Sequence, residues 1–152
     1  MTEIGVISDT HGLLRPEAER ALVGVDYIVH AGDVGDPAIL ESLSRIAPVT
    51  AVRGNVDHGA WANTLPITDA LEIEGVCLYL IHILEDLDVD PVAAGFQAVI
   101  TGHSHRPASE RRDGVLYLNP GSAGPRRFKL PVSLARLTVH GADITHELLD
   151  LE

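Results

Sequence analysis

The chain has 152 residues, of which 45% are apolar, and a formal net charge of −11. This length suits one domain, so we expect residues 1–152 to fold as a single unit without a separate substrate domain. The acidic charge argues against binding of extended nucleic acid. It leaves small phosphorylated substrates open, because bound divalent cations reverse the field locally.

Cysteine content and hydropathy predict a cytoplasmic protein without membrane contact. Cys77 is the only cysteine, so no disulfide can form within the chain. No apolar run is long enough and free enough of charge to span a bilayer, and the first residues lack the pattern of a signal peptide. The oligomeric state is left open, with a homo-oligomer among the alternatives.

The first third of the chain predicts alternating strands and helices. Short apolar runs indicate three strands buried on both faces. They cover residues 3–8, 26–30 and 49–52. Helices are predicted at residues 16–23 and 36–46, the second with Asp36 as N-cap and Pro37 in its first position. Such a βαβαβ run predicts parallel strands joined by right-handed crossovers.

The rest of the chain changes to hairpins. Alternating runs around turn residues predict hairpins at Gly75, at Asp113-Gly114 and at residues 140–143. The predicted strands cover residues 70–74, 76–82, 98–101, 110–112, 115–118, 134–139 and 144–149, with a short helix at 89–95. Mixed strands with few helices indicate two packed sheets with helices outside.

Polar side chains follow five of the predicted strands, each at the point where the strand ends. In an open α/β sheet, ligands bind beyond the carboxyl ends of the strands, so we expect these segments to converge on one site. The candidate residues are Asp9, His11, Asp33, Asn55, His82, His103 and His105.

The donor atoms of these residues predict a metal site. Carboxylate, amide and imidazole donors suit manganese, iron, zinc, nickel or cobalt better than copper or a structural zinc. Asp9 and His11 lie two residues apart and point to the same side of an extended chain, and His103 and His105 repeat that spacing. The two residues of each pair bind the same ion, or each binds a different ion. Asp33 is the natural bridging ligand, because a carboxylate has two oxygens to span two cations.

Three glycines, Gly32, Gly54 and Gly102, precede candidate ligands and are expected to let the backbone turn sharply into the site. Each motif is weak alone, since Gly-Asn is a frequent turn dipeptide and a lone strand-end histidine is more often structural. All of them together, in this order and at strand ends, make coincidence a poor explanation.

The ordered set of motifs resembles the signature of the calcineurin-like metallophosphoesterase superfamily. The segments His-Ala-Gly-Asp (residues 30–33), Gly-Asn-Val-Asp (54–57) and Asn-Pro-Gly-Ser (119–122) are similar to its small bacterial and archaeal phosphodiesterase branch. The resemblance covers residues 4–137. It implies the α/β fold of that family, a four-layer α-β-β-α sandwich with two mixed sheets.

The resemblance also implies two divalent metal ions, with manganese favoured and iron, zinc, nickel or cobalt as alternatives. One ion would be held by Asp9, His11, Asp33 and His105, and the other by Asp33, Asn55, His82 and His103. Two ions about 3.5–4 Å apart acidify a bridging water, which attacks phosphorus in line. The implied reaction is hydrolysis of a small phosphate diester, with Asp33, Asn55 and His103 in catalytic roles. Asp57 and His30 are candidates to orient the imidazoles, with a purely structural role as the alternative.

Two positions depart from the wider superfamily. Val56 stands where many relatives carry a histidine that protonates the leaving group, so activated aryl esters are expected to react better than alkyl esters. His58 is a substitute for that acid, although an exposed loop histidine is the simpler interpretation. Ile83 and Leu84 stand where relatives often carry glycine and a second histidine, which keeps the ligand His82 but changes the loop after it.

Several other residues near these motifs have two interpretations. Arg126 and Arg127 bind a substrate phosphate or are surface arginines. Trp61 stacks on an aromatic ester or a nucleobase, or it packs, with packing or an oligomer contact favoured. Residues 119–122 are expected to follow a strand as a tight turn. Residues 85–88 are expected to form a solvated acidic loop.

Two further functions stay open at this stage. The first is a phosphomonoesterase or dinucleotide polyphosphate hydrolase on the same site, and the absence of histidine at position 56 argues mildly against it. The second is a non-catalytic, protein-binding scaffold of the same fold. A scaffold has no need of seven ligand side chains that converge on two ions, so the enzyme is favoured.

Overall fold

The chain forms ten strands and three short α-helices. In the computed structural model, which describes residues 1–152, the strands are β1 (Thr2–Ile7), β2 (Tyr27–His30), β3 (Val49–Ala51), β4 (Thr68–Ile73), β5 (Val76–Ile81), β6 (Ala98–Ile100), β7 (Pro107–Arg112), β8 (Val115–Pro120), β9 (Ser133–His140) and β10 (Asp143–Asp150). The helices are α1 (Pro16–Ala21), α2 (Pro37–Ser44) and α3 (Pro91–Ala94), and 3-10 turns cover Ala62–Thr64 and Leu84–Asp86. Every predicted strand and helix is present, with its ends shifted by a few residues at most.

The strands pair into two mixed five-stranded sheets, as predicted. The first sheet has the order β10-β9-β1-β2-β3, with β1, β2 and β3 parallel and β9 antiparallel to both neighbours. The second has the order β4-β5-β6-β8-β7, with β5, β6 and β8 parallel and an antiparallel strand at each edge. The parallel strands of each sheet end at a common edge.

Three apolar clusters hold four layers together. Residues of both sheets, such as Ile4 and Leu80, form the largest cluster and fill the space between the sheets. A second cluster joins the first sheet to α1 and α2. There β1 and α1 approach so closely that a Cβ on Gly5 would overlap the side chain of Leu22. The third cluster is small and lies on the outer face of the second sheet, where Tyr79 packs edge-on against Phe96 at 5.0 Å between ring centroids. The fold is therefore the predicted sandwich, with a fourth layer that contains a single one-turn helix.

Local signals in the sequence set the helix and hairpin ends. Asp36 caps α2 as predicted, since its carboxylate accepts the Ala38 N–H at 2.9 Å and Pro37 takes the first helical position. The turn at Asp113-Gly114 places both central residues at positive φ, 51° and 82°. This is the backbone of a type I′ turn, whose twist matches that of the flanking strands.

Residues 119–122 differ from the prediction. Asn119 and Pro120 still belong to β8 and pair with β7, so only Gly121, at φ 80°, makes the turn. Proline is tolerated there because it is the last residue of the strand.

None of the helices is long and apolar enough to cross a bilayer.

Candidate metal centre

The site lies where strands of both sheets end. From the first sheet, Asp9 and His11 follow β1, Asp33 follows β2 and Asn55 follows β3; from the second, His82 follows β5, and His103 and His105 follow β6. Parallel strands bring their carboxyl ends to one edge of a sheet, and the two sheets are packed face to face. The structure therefore brings all seven predicted residues together.

Three of these residues form the inner ligand group: Asp9, His11 and His105. Their potential ligand atoms lie within 4.8 Å of one another. Asp9 Oδ1 is 3.3 Å from His105 Nε2 and 3.6 Å from His11 Nε2. Asp9 and His105 are buried and His11 is half-buried, so this group is largely enclosed by protein.

The outer ligand group consists of Asp33, His82 and His103, with Asn55 beside them. The ligand atoms of its carboxylate and two imidazoles also lie within 4.8 Å of one another. Asp33 Oδ2 is 3.1 Å from His82 Nε2, and Asn55 Oδ1 is 3.1 Å from the same nitrogen. Asp33 and His82 are buried, whereas His103 and Asn55 are exposed. This group therefore opens to solvent on one side.

Asp33 reaches both groups. Its Oδ2 atom lies 3.5 Å from His11 Nε2 of the inner group as well as 3.1 Å from His82 Nε2. Its Oδ1 atom accepts the N–H of Val56 at 3.0 Å. A carboxylate so placed fits the bridging role expected from the sequence.

Unpaired buried atoms in the inner ligand group fit a cation. Asp9 Oδ1 and His11 Nε2 are buried without a hydrogen-bond partner, as is His105 Nδ1. A buried polar atom without a partner costs about 1–3 kcal/mol. The only basic side chains within 4.0 Å of Asp9 or Asp33 are histidines. A divalent cation between the first two atoms would supply the missing partner, and this donor set suits the first-row metals named above.

Close contacts with neighbouring polar groups keep both carboxylates ionised. Burial by itself raises the pKa of Asp9, but the nearby imidazoles of His105 and His11 and the hydrogen bond from Ser8 outweigh it, and the pKa lies below its ordinary value. Burial also opposes the lowered pKa of Asp33, which results from His82 and the Val56 N–H. The pKa of His82 is raised, because the contact with Asp33 and the charge of Asp9 outweigh burial. Each carboxylate is thus available as an anionic ligand at neutral pH.

Five of the seven candidate ligands have left-handed backbones. They are Asp9 (φ 55°), His11 (46°), Asp33 (56°), His103 (71°) and His105 (63°). Positive φ is uncommon outside glycine and costs on the order of 1–3 kcal/mol per residue. This local strain turns the backbone at once after the strand, so that the side chains point into one site. No sequence pattern indicated it.

The three glycines serve the site in two different ways. Gly32 has φ 105° and turns the backbone before Asp33, as expected. Gly54 and Gly102 do not have a positive φ, so glycine is not required there by the left-handed conformation. A Cβ on Gly54 would overlap the backbone and carboxylate of Asp33, and one on Gly102 would overlap Ser8 Oγ and lie 2.7 Å from Asp9 Oδ2. These two glycines make room for the ligand carboxylates.

His30 joins the loops of the two ligand groups. The Gly32 N–H donates to His30 Nδ1 at 3.1 Å, so the neutral ring carries its proton on Nε2 and donates it to Thr10 Oγ1 at 3.1 Å. Thr10 Oγ1 in turn donates to the carbonyl of Val34 at 2.8 Å. Burial lowers the pKa of His30 to about 4 against the attraction of Asp9, so the ring is neutral at pH 7.

Neither His30 nor Asp57 has a hydrogen bond to a ligand imidazole, so of the two interpretations the structural role holds for both. Asp57 accepts the backbone N–H groups of Val34, Gly35 and Gly54 at 2.9–3.2 Å and ties the loop after β3 to the loop after β2. His82 is oriented by a backbone carbonyl instead. Its Nδ1 donates to Ala31 at 2.7 Å, which leaves Nε2 facing the site.

Two supporting residues were missed by the sequence reasoning. Ser8 donates to Asp9 Oδ2 at 2.6 Å, and the backbone N–H of His103 donates to the same oxygen at 3.1 Å. Asn119 donates to the Gly102 carbonyl at 2.9 Å and to Ser104 Oγ at 3.1 Å, which fixes the loop of the two histidines. Asn119 belongs to the Asn-Pro-Gly-Ser motif, but nothing in the sequence marks Ser8 as more than a strand residue.

For the residues with two possible roles, the structure shows which neighbours each side chain has. Trp61 packs against the cluster beneath the helices, and His58 is exposed without a hydrogen bond. Arg126 is held by Glu152 at the chain end. Arg127 is exposed, and both arginines line a cavity with His11 and His105. The two arginines therefore border the inner ligand group, whereas Trp61 serves as a packing residue.

Comparisons with known proteins agree with this geometry. The sequence profile of the calcineurin-like phosphoesterase superfamily domain matches residues 2–142. A probable metallophosphoesterase of Methanothermobacter thermautotrophicus is 35% identical over 96% of this chain and 91% of its own length. Phosphodiesterase MJ0936 of Methanocaldococcus jannaschii is 28% identical over 78% of this chain and 82% of its own. Among solved structures, Vps29 of Chaetomium thermophilum superposes with a TM-score of 0.80 at 19% identity, over 98% of this chain and 97% of that one.

Proposed function

This chain belongs to the calcineurin-like phosphoesterase superfamily and is a phosphoesterase, and from that premise we propose that it hydrolyses small phosphate diesters at a centre of two divalent cations. One observation carries the proposal. Two ligand groups, each with its donor atoms within 4.8 Å of one another, share the carboxylate of Asp33, which contacts His11 in one group and His82 in the other. A shared carboxylate of this kind can hold two cations side by side.

The roles of the residues follow from their exposure and contacts. Two cations held by these residues would supply an acidified water as nucleophile and would neutralise charge on the phosphate oxygens. Asp33 holds the two groups in register, and its second oxygen is fixed by the Val56 N–H. Asn55 and His103 are the exposed members of the centre, so they face the incoming substrate. We therefore assign the catalytic roles to Asp33, Asn55 and His103, as the resemblance implied.

Two separate cavities, one beside each ligand group, support a diester. One is lined by His11, His105 and the two arginines, and a second contains His103. A diester carries two alcohol arms, and each can occupy one cavity while the phosphate lies over the ligands. The likeness to the phosphodiesterase of M. jannaschii points the same way. Val56 provides no acid for the leaving group, so esters of acidic alcohols should react fastest.

Two alternatives are less well supported. A phosphomonoesterase would use the same ligands but has no need of a second cavity. A protein-binding scaffold rests on the fold alone, and the likeness to Vps29 at 19% identity shows only the fold. Cytoplasmic location and manganese as the native ion belong to the same proposal. The single cysteine and the absence of thiolate from the ligand set support them.

The test is turnover of bis(4-nitrophenyl) phosphate by metal-free protein after addition of Mn²⁺. We expect Mn²⁺-dependent release of 4-nitrophenolate, and a loss of at least about 10³-fold in Asp33→Asn, which corresponds to about 4 kcal/mol of transition-state stabilisation. Asp88→Asn is the matched control, because Asp88 is an exposed carboxylate without a hydrogen bond. It should keep full activity.

The same assay separates the alternatives. A higher kcat/KM for 4-nitrophenyl phosphate than for the diester would replace the diesterase by a monoesterase. No turnover of either substrate with Mn²⁺, Ni²⁺, Co²⁺, Fe²⁺ or Zn²⁺ would remove the enzyme proposal and leave the scaffold.

A further inference from the structure

A groove runs from the outer ligand group across the outer face of the second sheet. Its volume is about 310 Å³, within the range of small-molecule sites. Strands β7 and β8 form its floor, where Ala108 lies opposite Asn119 and Glu110 lies opposite Tyr117. No residue of an α-helix lines it, because the fourth layer contains only the one-turn helix α3. The short helix thus leaves part of the sheet open beside the catalytic centre.

The groove is continuous with the proposed catalytic centre. His103, an exposed member of the outer ligand group, lines its inner end together with Thr101 and Gly102. An ester group of a phosphate held at His103 can therefore extend into this groove.

The two cavities differ in charge. The groove pairs two acidic side chains, Glu85 and Glu110, with two basic ones, Arg106 and Arg112. The cavity beside His11 is lined by Arg126, which is paired with Glu152, and by Arg127, which has no acidic partner within 4.0 Å. The balanced charge of the groove suits an uncharged group better than a second phosphate.

The floor of the groove offers a planar platform. The Arg112 guanidinium lies over the Tyr117 ring, 4.8 Å from its centroid, and a 2.9 Å ion pair with Glu110 holds it there. Guanidinium planes and aromatic rings both stack on nucleobases. Beside them, the carboxylate of Glu110 can accept a hydrogen bond from a hydroxyl group of a ligand. The groove thus combines a stacking surface with an acceptor for hydroxyl groups.

We propose that this groove binds one alcohol arm of the diester and that this arm is a nucleoside. The inference rests on the proposed diesterase function and adds its substrate class. A nucleoside combines the three features that the groove accommodates: no charge, a planar ring and free hydroxyls. Arg112 and Tyr117 would then determine specificity without contact to the reacting phosphorus.

Binding of two simple phosphates tests the groove separately from the chemistry. Isothermal titration of the Mn²⁺-loaded protein with thymidine 5′-monophosphate and with methyl phosphate compares the same phosphate with and without a nucleoside. We expect the nucleotide to bind about 10-fold tighter or more, since stacking of one base contributes on this scale. Kinetics should agree: thymidine 5′-(4-nitrophenyl phosphate) should exceed methyl 4-nitrophenyl phosphate in kcat/KM, although both release the same leaving group.

Two variants place the preference in the groove. Arg112→Ala removes the platform, and Ala108→Phe fills the floor with a bulky side chain at an exposed position of the edge strand. Each should reduce the affinity for thymidine 5′-monophosphate to near that for methyl phosphate and leave methyl phosphate unchanged. Arg45→Ala is the matched control, because Arg45 is an exposed arginine just after α2, on the far side of the first sheet. It should keep the preference.

The outcomes distinguish this inference from the proposed function. Equal binding of the two phosphates, or a preference that survives both groove variants, would contradict the proposal that this groove binds a nucleoside. An equal loss for both phosphates in Arg112→Ala would also overturn it, because it would show a general structural effect. Hydrolysis of methyl 4-nitrophenyl phosphate at the same rate as the nucleoside ester would support the diesterase function and contradict the nucleoside as substrate arm. A preserved binding preference without hydrolysis of any diester would instead contradict the diesterase function.

Discussion

The inner and outer ligand groups use the same kinds of donor in different surroundings. In the inner group, Asp9 and His105 are buried, and three buried polar atoms have no hydrogen-bond partner. In the outer group, the buried atoms of Asp33 and His82 are all paired, and His103 is exposed. The inner group is therefore enclosed and incomplete without a cation, whereas the outer group is open and largely satisfied by protein.

This difference in burial indicates that the inner group contributes mainly to stability and the outer group mainly to substrate binding. A cation in the inner group would relieve unpaired buried atoms, so its binding should be coupled strongly to stability. A position at the outer group is accessible to solvent and lies beside the groove, so it should affect substrate more than folding. The following predictions test that division, from the largest expected effect to the smallest.

The largest effect should be cation-linked stability. At free Mn²⁺ about 1,000 times its Kd, binding should add about 4 kcal/mol to the free energy of unfolding, which raises Tm by about 8–16 °C in a chain of this size. His105→Ala should remove most of this shift, whereas His103→Ala should keep at least about half of it, because only the first belongs to the enclosed group.

The measurement is thermal unfolding of both variants with and without Mn²⁺. The pair is matched, since both histidines lie on one loop two residues apart and receive the same substitution. An equal loss of the Mn²⁺-induced rise in Tm in the two variants would contradict the proposed difference between the inner and outer groups. Unfolding of the metal-free variants provides the baseline against which each shift is read.

The next effect concerns His30, which joins the two loops. Its pKa is about 4 in the folded protein against an ordinary 6.5, so between these values the unfolded chain binds more protons and stability falls as pH falls. The loss across this window is on the order of 3 kcal/mol, and the contribution is fully present above pH 6.5. Urea unfolding from pH 4.5 to 7 should show a steeper decline for the wild type than for His30→Gln. Parallel curves would show that His30 does not link the loops through its neutral form.

A smaller effect is expected at Ser8, which supports only the inner group. Ser8→Ala removes the 2.6 Å hydrogen bond to Asp9 Oδ2, and loss of such a support weakens metal affinity by about 10-fold. Titration calorimetry with Mn²⁺ should show one weakened site and one unchanged site. Equal weakening of both sites would mean that the two groups act as a single unit.

The smallest effect should come from His58, on the loop that carries Asn55. Its side chain is exposed and contacts no candidate ligand. His58→Ala should therefore change kcat/KM for aryl diesters by less than about twofold, and the decline from aryl to alkyl leaving groups should stay as steep. A variant that loses activity only on alkyl esters would identify His58 as the missing acid.

The sequence by itself determined the sheets, the order of the elements and the seven candidate ligands. Apolar runs of strand length and turn residues act locally, so they placed β1 and the hairpin at Asp113-Gly114 correctly. The candidate ligands could also be located from the sequence, because each follows a predicted strand and parallel strands bring their ends to one edge of a sheet. The start of α2 at Asp36 and Pro37 was predictable as well, since a helix cap is a contact between residues adjacent in the chain.

Only the tertiary structure decided how these residues meet. The left-handed backbone of Asp9 and the close approach of Gly54 to Asp33 depend on segments far apart in the chain, and no local pattern encodes them. The same holds for His30 and Asp57, which proved to bind backbone amides of other loops. The division into an enclosed and an open ligand group is a property of burial, and burial is fixed only when both sheets have packed.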